Sequence, residues 1–280
     1  MRHTFQHRDH VISYHDVRSP GAPDAGTILF LHAFPLDAGM WQPQLDALPA
    51  GWRAIAPDLR GFGKSLPDHA APARNSSAPP SIDDYVDNVI ALLDHLGIDT
   101  VVVSGLSMGG YAAFGLLRRA PARLRGLVLA DTRADADTEA ARANRASMLD
   151  LARTQGSAAV VERMLPTLLG GTTRATRPAV VERVRVLASA QSPDAVAAAI
   201  ERLRDRPDST PLLPGIACPT LVMAGDEDTI TGVDVARQMH GRIPGADLEV
   251  IPEAGHLSNL EQPAAFNAAL ARFLQARFEA

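Results

Sequence analysis

Six short apolar runs, rich in β-branched residues, recur along the chain, and patterns typical of amphipathic helices follow most of them. The runs lie at residues 27–32, 52–57, 100–105, 126–131, 220–225 and 248–252. Runs of this length and composition are typical of strands buried on both faces of a sheet. Strands that alternate with helices predict an α/β fold with a mostly parallel sheet covered on both sides. No repeat of 20 to 50 residues is apparent, which argues against a solenoid or a propeller.

Two helical patterns carry clear start signals. Ser81 and Asp84 have the spacing of a capping box, and the apolar residues that follow fall on one helix face as far as Leu96. Pro263 opens the last pattern, where proline is favoured because the first helical N–H has no partner. We therefore expect helices after residue 81 and from residue 263.

Two stretches depart from the strand and helix rhythm. Residues 66–80 are rich in Ala, Pro and Ser without any period, and they predict a long surface loop. Residues 133–215 contain no strand pattern and predict several helices inserted between two strands. The expected breaks between these helices are Gly156, Pro166, Gly170–Gly171, Pro178 and Pro193.

These patterns divide the chain into a core and an insertion. We expect residues 1–132 and 216–280 to form the two parts of the core and residues 133–215 to form a helical cap. A cap is expected over the carboxyl edge of the parallel strands, because ligands bind at that edge.

Composition excludes several classes of protein. The 280 residues carry a formal net charge of −5, which has the wrong sign for general nucleic-acid affinity. The apolar runs are far shorter than the roughly 20 residues of a membrane-spanning helix. Cys218 is the single cysteine, so an intrachain disulfide and a cysteine metal cluster are excluded. With no secretory signal pattern at the start of the sequence, we expect a cytoplasmic protein that binds neither nucleic acid nor membrane.

The pentapeptide Gly105–Gly109 has the pattern G-x-S-x-G directly after a predicted strand and before a helical pattern. In that position the pattern is typical of a nucleophile elbow, in which a tight turn between small residues presents the serine hydroxyl above the sheet. Ser107 is therefore the candidate nucleophile. An ordinary Gly-Ser turn is the alternative, and the strand before and helix after disfavour it.

A serine hydroxyl needs a general base, and the base needs an orienting carboxylate. On this kind of scaffold the chain order is Ser, then Asp or Glu, then His. His256 follows the last predicted strand and is the candidate base. Asp228 follows the preceding strand and is the candidate acid, with Asp226 and Asp131 as alternatives.

The oxyanion formed during acyl transfer needs preorganised donors. The backbone N–H of Met108, directly after the nucleophile, is the first candidate. The second is the backbone N–H of Phe34, which follows an earlier strand. The alternative role for Phe34 is packing, beside a proline that merely ends the strand.

Other motifs do not support a cofactor or a metal. Gly63-Lys64-Ser65 lacks the earlier glycine of a phosphate-binding loop, because that position is Asp58. Gly61–Gly63 lacks the third glycine of a dinucleotide fingerprint. A histidine set near the start, His3, His7 and His10, lies on a segment without clear pattern and predicts solvated side chains.

The motifs together resemble those of the α/β-hydrolase superfamily. The matching segments are 32–36, 57–65, 105–110, 225–228 and 254–256, in the family's order along nearly the whole chain. Within the superfamily, the chain is similar to the capped group of 3-oxoadipate enol-lactonases, cofactor-free haloperoxidase/esterases and related carboxylesterases. Where the family usually has His-Gly, this chain has His32-Ala33, which exchanges one small residue for another.

The resemblance implies an eight-stranded sheet, a helical cap and the triad Ser107, Asp228 and His256. A serine at the elbow argues against haloalkane dehalogenases and epoxide hydrolases, which place aspartate there. We expect a cofactor-free serine hydrolase of small carboxylic esters or lactones that works through an acyl-enzyme intermediate. Alternatives are hydrolysis of an anionic lactone, serine-dependent C–C bond chemistry and, least favoured, a non-catalytic binding protein.

Substrate charge is the least determined feature. The insertion carries 12 Arg against 10 Asp and Glu, and Arg202 and Arg206 fall one turn apart. A pair of arginines could bind a carboxylate, but charged helix faces are usually solvated. We therefore predict solvated arginines and a preference for short, neutral acyl esters.

Overall fold

The computed structural model describes residues 1–8, 10–20, 25–65 and 80–278. The predicted loop at 66–80 lies outside the described residues except for Pro80. The strands in the described part of the chain are β1 (Arg2–His7), β2 (His10–Arg18), β3 (Gly26–Leu31), β4 (Trp52–Pro57), β5 (Val101–Leu106), β6 (Leu124–Ala130), β7 (Thr220–Gly225) and β8 (Asp247–Ile251).

All eight strands join one sheet in the order β1-β2-β4-β3-β5-β6-β7-β8. The six strands from β3 to β8 run parallel, whereas β1 and β2 are antiparallel to their neighbours. The mostly parallel sheet predicted from the sequence pattern and the eight strands implied by the resemblance are both confirmed. Each of the six predicted strands is present, with its bounds shifted by at most two residues.

The amino-terminal hairpin of β1 and β2 was not predicted, and the expectation for its histidines was partly wrong. His10 is buried, and its Nε2 lies 2.8 Å from Oδ1 of Asn88. His3 and His7 lie on β1, where side chains alternate between exposed and half-buried positions. The ring of His3 stacks on Tyr14 of the next strand. The segment is therefore an ordered sheet edge.

Helices cover both faces of the sheet. The α-helices of the described residues are α1 (Gln42–Asp46), α2 (Ile82–His95), α3 (Met108–Arg119), α4 (Glu139–Leu168), α5 (Gly171–Thr176), α6 (Pro178–Ser189), α7 (Pro193–Arg204), α8 (Val233–His240), α9 (Ser258–Glu261) and α10 (Pro263–Phe278). The predicted capping box of Ser81 and Asp84 is present at the start of α2. The last helix begins at Pro263, as predicted.

Successive residues of the central strands supply two separate apolar cores. In β3, Leu29 and Leu31 pack in the core shared with α2, α3 and α8. Ile28 and Phe30 pack in the opposite core, shared with α1 and α10. This alternation follows from the period of two along a strand. It fixes the sheet between two helical layers and brings the carboxyl ends of β3, β5, β7 and β8 to one edge.

Four of the helices, α4 to α7, lie between β6 and β7, where the sequence predicts an insertion. The backbone at Gly156 has φ of 83° and interrupts α4 at the predicted break. Breaks at Gly170–Gly171, Pro178 and Pro193 also match helix boundaries. The predicted break at Pro166 is wrong, because α4 continues to Leu168. The proline removes one backbone donor, and α4 ends two residues after it.

The prediction of a solvated pair of arginines at 202 and 206 is wrong. Arg202 is buried, donates to Asp84 Oδ2 at 2.7 Å and lies over the ring of Tyr85. Arg206 follows the end of α7, is 4% exposed and donates to Asp137 Oδ1 at 2.6 Å. Arg202 therefore joins the insertion to α2. Arg206 joins two parts of the insertion, and its guanidinium also lies over the ring of Tyr111 in α3.

Candidate active site

Ser107 lies at the turn between β5 and α3 with an unusual backbone conformation. Its φ is 53° and its ψ is −111°, a region that L-amino acids rarely adopt. A side chain at Gly105 would collide with the carbonyl of Gly109, and one at Gly109 would collide with the carbonyl of Leu31. The turn is tight because both flanking residues lack a Cβ. Such strain at a strand-to-helix turn is typical of a functional site.

His256 lies in the segment that follows β8, and its imidazole reaches the serine. Its Nε2 lies 2.8 Å from Ser107 Oγ, and the histidine is 2% exposed. These two residues are brought together by the parallel order of β5, β6, β7 and β8. The serine hydroxyl can donate to Nε2 when the imidazole carries its proton on Nδ1.

Asp228 lies after β7 and contacts the other side of the same ring. Its Oδ2 lies 2.9 Å from His256 Nδ1. Three further donors hold this carboxylate: the N–H groups of Ile230 and Thr231 at 2.7 and 3.1 Å, and Thr231 Oγ1 at 2.8 Å. The structure therefore brings Ser107, His256 and Asp228 into one chain of hydrogen bonds.

The electrostatics of the pair favour charge separation. Burial raises the pKa of Asp228, but the charge of His256 and the hydrogen bonds to the carboxylate outweigh burial and bring that pKa to about 2. Burial lowers the pKa of His256, and the Asp228 carboxylate reverses this and raises it above its ordinary value. The arrangement stabilises an imidazolium, the form that a general base takes after accepting a proton.

Neither alternative carboxylate occupies the position beside the imidazole. Oδ1 of Asp226 accepts a long hydrogen bond of 3.4 Å from the N–H of Ala254. Asp131, at the end of β6, lies 2.5 Å from Ser258 Oγ and accepts from the N–H of Gly225. Burial and the Asp228 charge raise the pKa of Asp131 to about 8. The recorded hydrogen bonds of Asp131 are thus to Ser258 and Gly225, and Asp131 does not take the place of Asp228.

Two functional contacts were missed by the sequence reading. Thr231 donates to Asp228 and its Oγ1 also lies 3.2 Å from His256 Nδ1. A threonine three residues after an aspartate in a loop is a common local pattern, so the sequence gave only a weak signal for this contact. Glu261 accepts backbone hydrogen bonds on both sides of His256, and only the tertiary fold reveals this.

The predicted oxyanion donors lie at the same sheet edge. Leu31 of β3 pairs with Gly105 of β5, which brings the residues after β3 beside the elbow. Met108 is the first residue of α3. In the described part of the chain, no protein acceptor is recorded for the N–H of Phe34 or of Met108. The participation of these two amides in an oxyanion hole stays a prediction.

A buried histidine organises the segment that contains Phe34. The Nδ1 of His32 lies 3.0 Å from the carbonyl of Ala33, and its Nε2 accepts the N–H of Leu59 at 2.9 Å. Burial lowers the pKa of His32. A neutral imidazole with a proton on Nδ1 satisfies both contacts, so His32 has a structural part in this segment.

A cavity of about 370 Å³ lies between the core and α4, and its wall includes no member of the triad. Tyr111 and Ile230 are part of its wall, together with Met148 and other side chains of α4. The N–H of Tyr111 donates to the carbonyl of Ser107, and the N–H of Ile230 donates to Asp228. Two residues of the cavity wall thus contact the elbow and the acid through their backbone amides.

The described residues show no site for a metal ion and no membrane span. No cluster of three or more His, Cys, Asp or Glu side chains among them could hold a metal. Within the same residues, no helix combines the length and apolarity that crossing a lipid bilayer requires.

Comparison with known proteins places this geometry in a family. The model of the alpha/beta hydrolase fold matches residues 26–263. The chain is 32% identical to 3-oxoadipate enol-lactonase 2 of Acinetobacter baylyi over 89% of each chain. It is 30% identical to a protein described as a carbamate hydrolase, RutD, of Caulobacter sp. (strain K31), over 93% of this chain and 95% of that protein.

A solved structure agrees with the sequence comparisons. The malate-bound thermophilic esterase of Thermogutta terrifontis superposes with a TM-score of 0.89 and 35% identity, covering 99% of both chains. The fold, the sequence matches and the arrangement of Ser107, His256 and Asp228 all point to the same family. This chain therefore belongs to the α/β-hydrolase-fold family.

Proposed function

We propose that this protein is a serine hydrolase of small carboxylic esters or lactones that acts through an acyl-enzyme intermediate. The observation that carries the proposal is the 2.8 Å contact between Ser107 Oγ and His256 Nε2, extended to Asp228 at 2.9 Å. Relatives named as an esterase and an enol-lactonase support it. Hydroxyl, base and acid are the groups that acyl transfer requires.

In the first half of the reaction, Ser107 Oγ bonds to the carbonyl carbon while its proton moves to His256 Nε2. The carbonyl oxygen takes up the electron pair, and the N–H groups of Phe34 and Met108 stabilise it. When the tetrahedral intermediate collapses, His256 returns the proton to the leaving oxygen. A linear ester releases its alcohol at this step, whereas a lactone keeps the alcohol on the acyl chain.

In the second half, His256 accepts a proton from water and the oxygen of that water bonds to the acyl carbon. Collapse of the second tetrahedral intermediate breaks the bond to Ser107 Oγ, which regains its proton from the imidazolium. Asp228 stabilises the imidazolium in both halves, consistent with its low pKa. No cofactor enters either step.

We place the substrate in the cavity whose wall includes Tyr111 and Ile230, and we assign residues 133–215 as the cap that encloses it. The cavity volume of about 370 Å³ suits a small acyl or alcohol group. Because Arg202 and Arg206 are both used in ion pairs, they do not supply a carboxylate site. This supports the preference for neutral substrates.

One observation favours an anionic lactone as a second candidate. Arg163 lines the cavity, and its recorded partners are the neutral side chains of Ser147 and Asn144. Arg133 and Arg145, which also line it, are instead paired with Asp135 and Asp137. A guanidinium without a carboxylate partner could bind a carboxylate of the substrate.

The testing experiment is a panel of p-nitrophenyl esters from acetate to octanoate, with a neutral lactone and a neutral carbamate as further substrates. We expect a burst of p-nitrophenol when deacylation is slower than acylation, and a maximum of kcat/KM at short acyl chains. Failure to hydrolyse any ester or lactone would contradict the proposal and favour C–C bond chemistry or a binding role. The Ser107→Ala variant is the control for uncatalysed hydrolysis.

A further inference from the structure

A buried carboxylate outside the triad contacts the backbone on both sides of the base. Glu261 is 2% exposed and lies in α9, five residues after His256. Its Oε1 accepts the N–H of Gly255 at 2.9 Å and that of Leu257 at 3.2 Å. These two amides flank His256, so one carboxylate oxygen fixes the backbone that presents the imidazole.

The second oxygen of Glu261 reaches into the insertion. Oε2 accepts the N–H of Gly170 at 2.8 Å, and Gly170 caps the amino end of α5. Among the described residues, no Arg, Lys or His forms an ion pair with Glu261. A buried carboxylate without such a partner is costly unless hydrogen-bond donors surround it. The three backbone amides supply that stabilisation, and they join the base segment to the cap.

The backbones of the two segments also touch directly. A side chain at Gly170 would collide with Gly255 N and with the carboxylate of Glu227. A side chain at Gly255 would collide with Gly170 N. The close approach requires glycine at both positions, because any Cβ would separate the segments.

The segment that carries the acid is attached to the same part of the cap. Glu227 immediately precedes Asp228, and its carboxylate accepts the N–H of Thr172 at 2.9 Å and the hydroxyl of Thr172. Residues 170–172 therefore hold hydrogen bonds to both catalytic segments. His256 and Asp228 lie on different loops, and residues 170–172 form hydrogen bonds with a residue near each of them.

From these contacts we infer that Glu261 is a positioning residue for His256 and that cap residues 170–172 keep the base and acid segments in register. The inference rests on the proposed function, because it assigns His256 as the base. Glu261 acts through the amides of Gly255 and Leu257 and does not touch the reacting atoms. The cap is in this respect a part of the catalytic framework as well as a cover for the substrate.

Charge gives Glu261 a second effect that can be measured. Burial lowers the pKa of His256, and the carboxylates of Asp228, Asp131 and Glu261 raise it, with Asp228 contributing most. Replacing Glu261 with glutamine removes a negative charge that stabilises the imidazolium. We therefore expect a lower pKa of His256 in the variant than in the parent protein. A purely structural role of Glu261 would leave this pKa unchanged.

The test compares Glu261→Gln with Glu253→Gln. Glu253 is three residues before His256, its carboxylate is 60% exposed and it pairs with Arg177 of the cap. The control variant thus removes a carboxylate from the same loop without touching the buried contacts. NMR titration of protein labelled with ¹⁵N-histidine gives the pKa of His256, identified by the signal missing from His256→Asn. Steady-state kinetics with the best ester of the panel give kcat and KM.

In Glu261→Gln we expect the pKa of His256 to fall measurably, by less than in Asp228→Asn, and kcat to fall roughly tenfold, with KM within about twofold of the parent. The control should change neither value. A folded Glu261→Gln protein in which either the pKa or kcat matches the control would overturn the inference. The titration needs no substrate, so it tests Glu261 even if no ester is hydrolysed, a result that would refute only the proposed function.

If Glu261→Gln does not fold, Gly170→Ala takes its place, because the added methyl would push the Gly170 amide away from Glu261 and Gly255. The same two measurements apply. We expect a lower kcat and a shifted His256 titration, and parent values for both would overturn the inference.

Discussion

The carboxylate of Asp228 and the imidazole of His256 form a buried pair, with 2.9 Å between Oδ2 and Nδ1. The carboxylate fixes the orientation of the ring and leaves Nε2 free to face Ser107. Because solvent is excluded, the charge of Asp228 acts on the imidazole with little screening. This relationship separates Asp228 from its neighbour Asp226, which lies only two residues earlier.

Replacing Asp228 with asparagine should strongly reduce turnover while the protein stays folded. The amide cannot stabilise the imidazolium as a carboxylate does, and we expect kcat to fall on the order of 10³-fold or more. In Asp226→Asn, kcat should fall less than about threefold, because the side chain of Asp226 makes only a weak contact with a backbone amide. Ester hydrolysis measured for both proteins checks this. A larger loss in Asp226→Asn would show that the acid is assigned two residues too late.

The Thr231 hydroxyl should contribute to catalysis through Asp228. Thr231→Val keeps the side-chain volume but removes the donor 2.8 Å from Oδ2. Hydrogen bonds to charged groups contribute about 1.5–3 kcal/mol, so we expect kcat to fall at least tenfold. Thr176→Val is the control, since its hydroxyl makes a local, exposed contact within α5. Equal kcat values for the two variants would show that the Thr231 hydroxyl does not contribute to catalysis.

Activity should rise with pH through the pKa of His256. The imidazole must be neutral to accept the serine proton, and Asp228 raises its pKa above the ordinary value of 6.5. We therefore expect the acid limb of kcat/KM to have its midpoint above pH 6.5. In Asp228→Asn this midpoint should move to lower pH, because the imidazolium loses its partner. A parent midpoint below pH 6 would contradict the electrostatic account of the pair.

Much of the fold and the triad could be predicted because each depends on local pattern. Continuous apolar runs mark strands buried on both faces, and a tight turn needs glycine on both sides of Ser107. The chain order of nucleophile, acid and base then identified Asp228 and His256 as residues following two later strands. The structure places these three side chains in one chain of hydrogen bonds, and their catalytic roles stay a prediction.

What the sequence did not reveal depends on contacts between distant segments. The hairpin of β1 and β2 contains several histidines and no continuous apolar run, so its strand character becomes evident only from its pairing with β4. Burial of Arg202 depends on Asp84 and Tyr85 of another helix. In the sequence, nothing distinguishes Glu261 from other acidic residues. Its three backbone partners become evident only in the fold, because they come from two different loops.

Neutral substrates should be hydrolysed at least as well as anionic ones. We expect a lactone that carries a carboxylate to have a kcat/KM no higher than that of its neutral analogue at low and at high ionic strength. Arg163 is the residue most able to change this result. An advantage for the anion that decreases with salt and disappears in Arg163→Gln would contradict the prediction and support the anionic lactone.

The central claim is that Ser107 is the nucleophile, and its most direct measurement combines turnover with covalent labelling. Ser107→Ala removes a single hydroxyl and no core volume, so the protein should fold normally while ester hydrolysis falls on the order of 10³-fold or more. Mass spectrometry should show a serine-directed phosphonate attached to Ser107 of the parent protein and absent from the variant. Near-normal turnover in Ser107→Ala, with the phosphonate on another residue, would contradict the account.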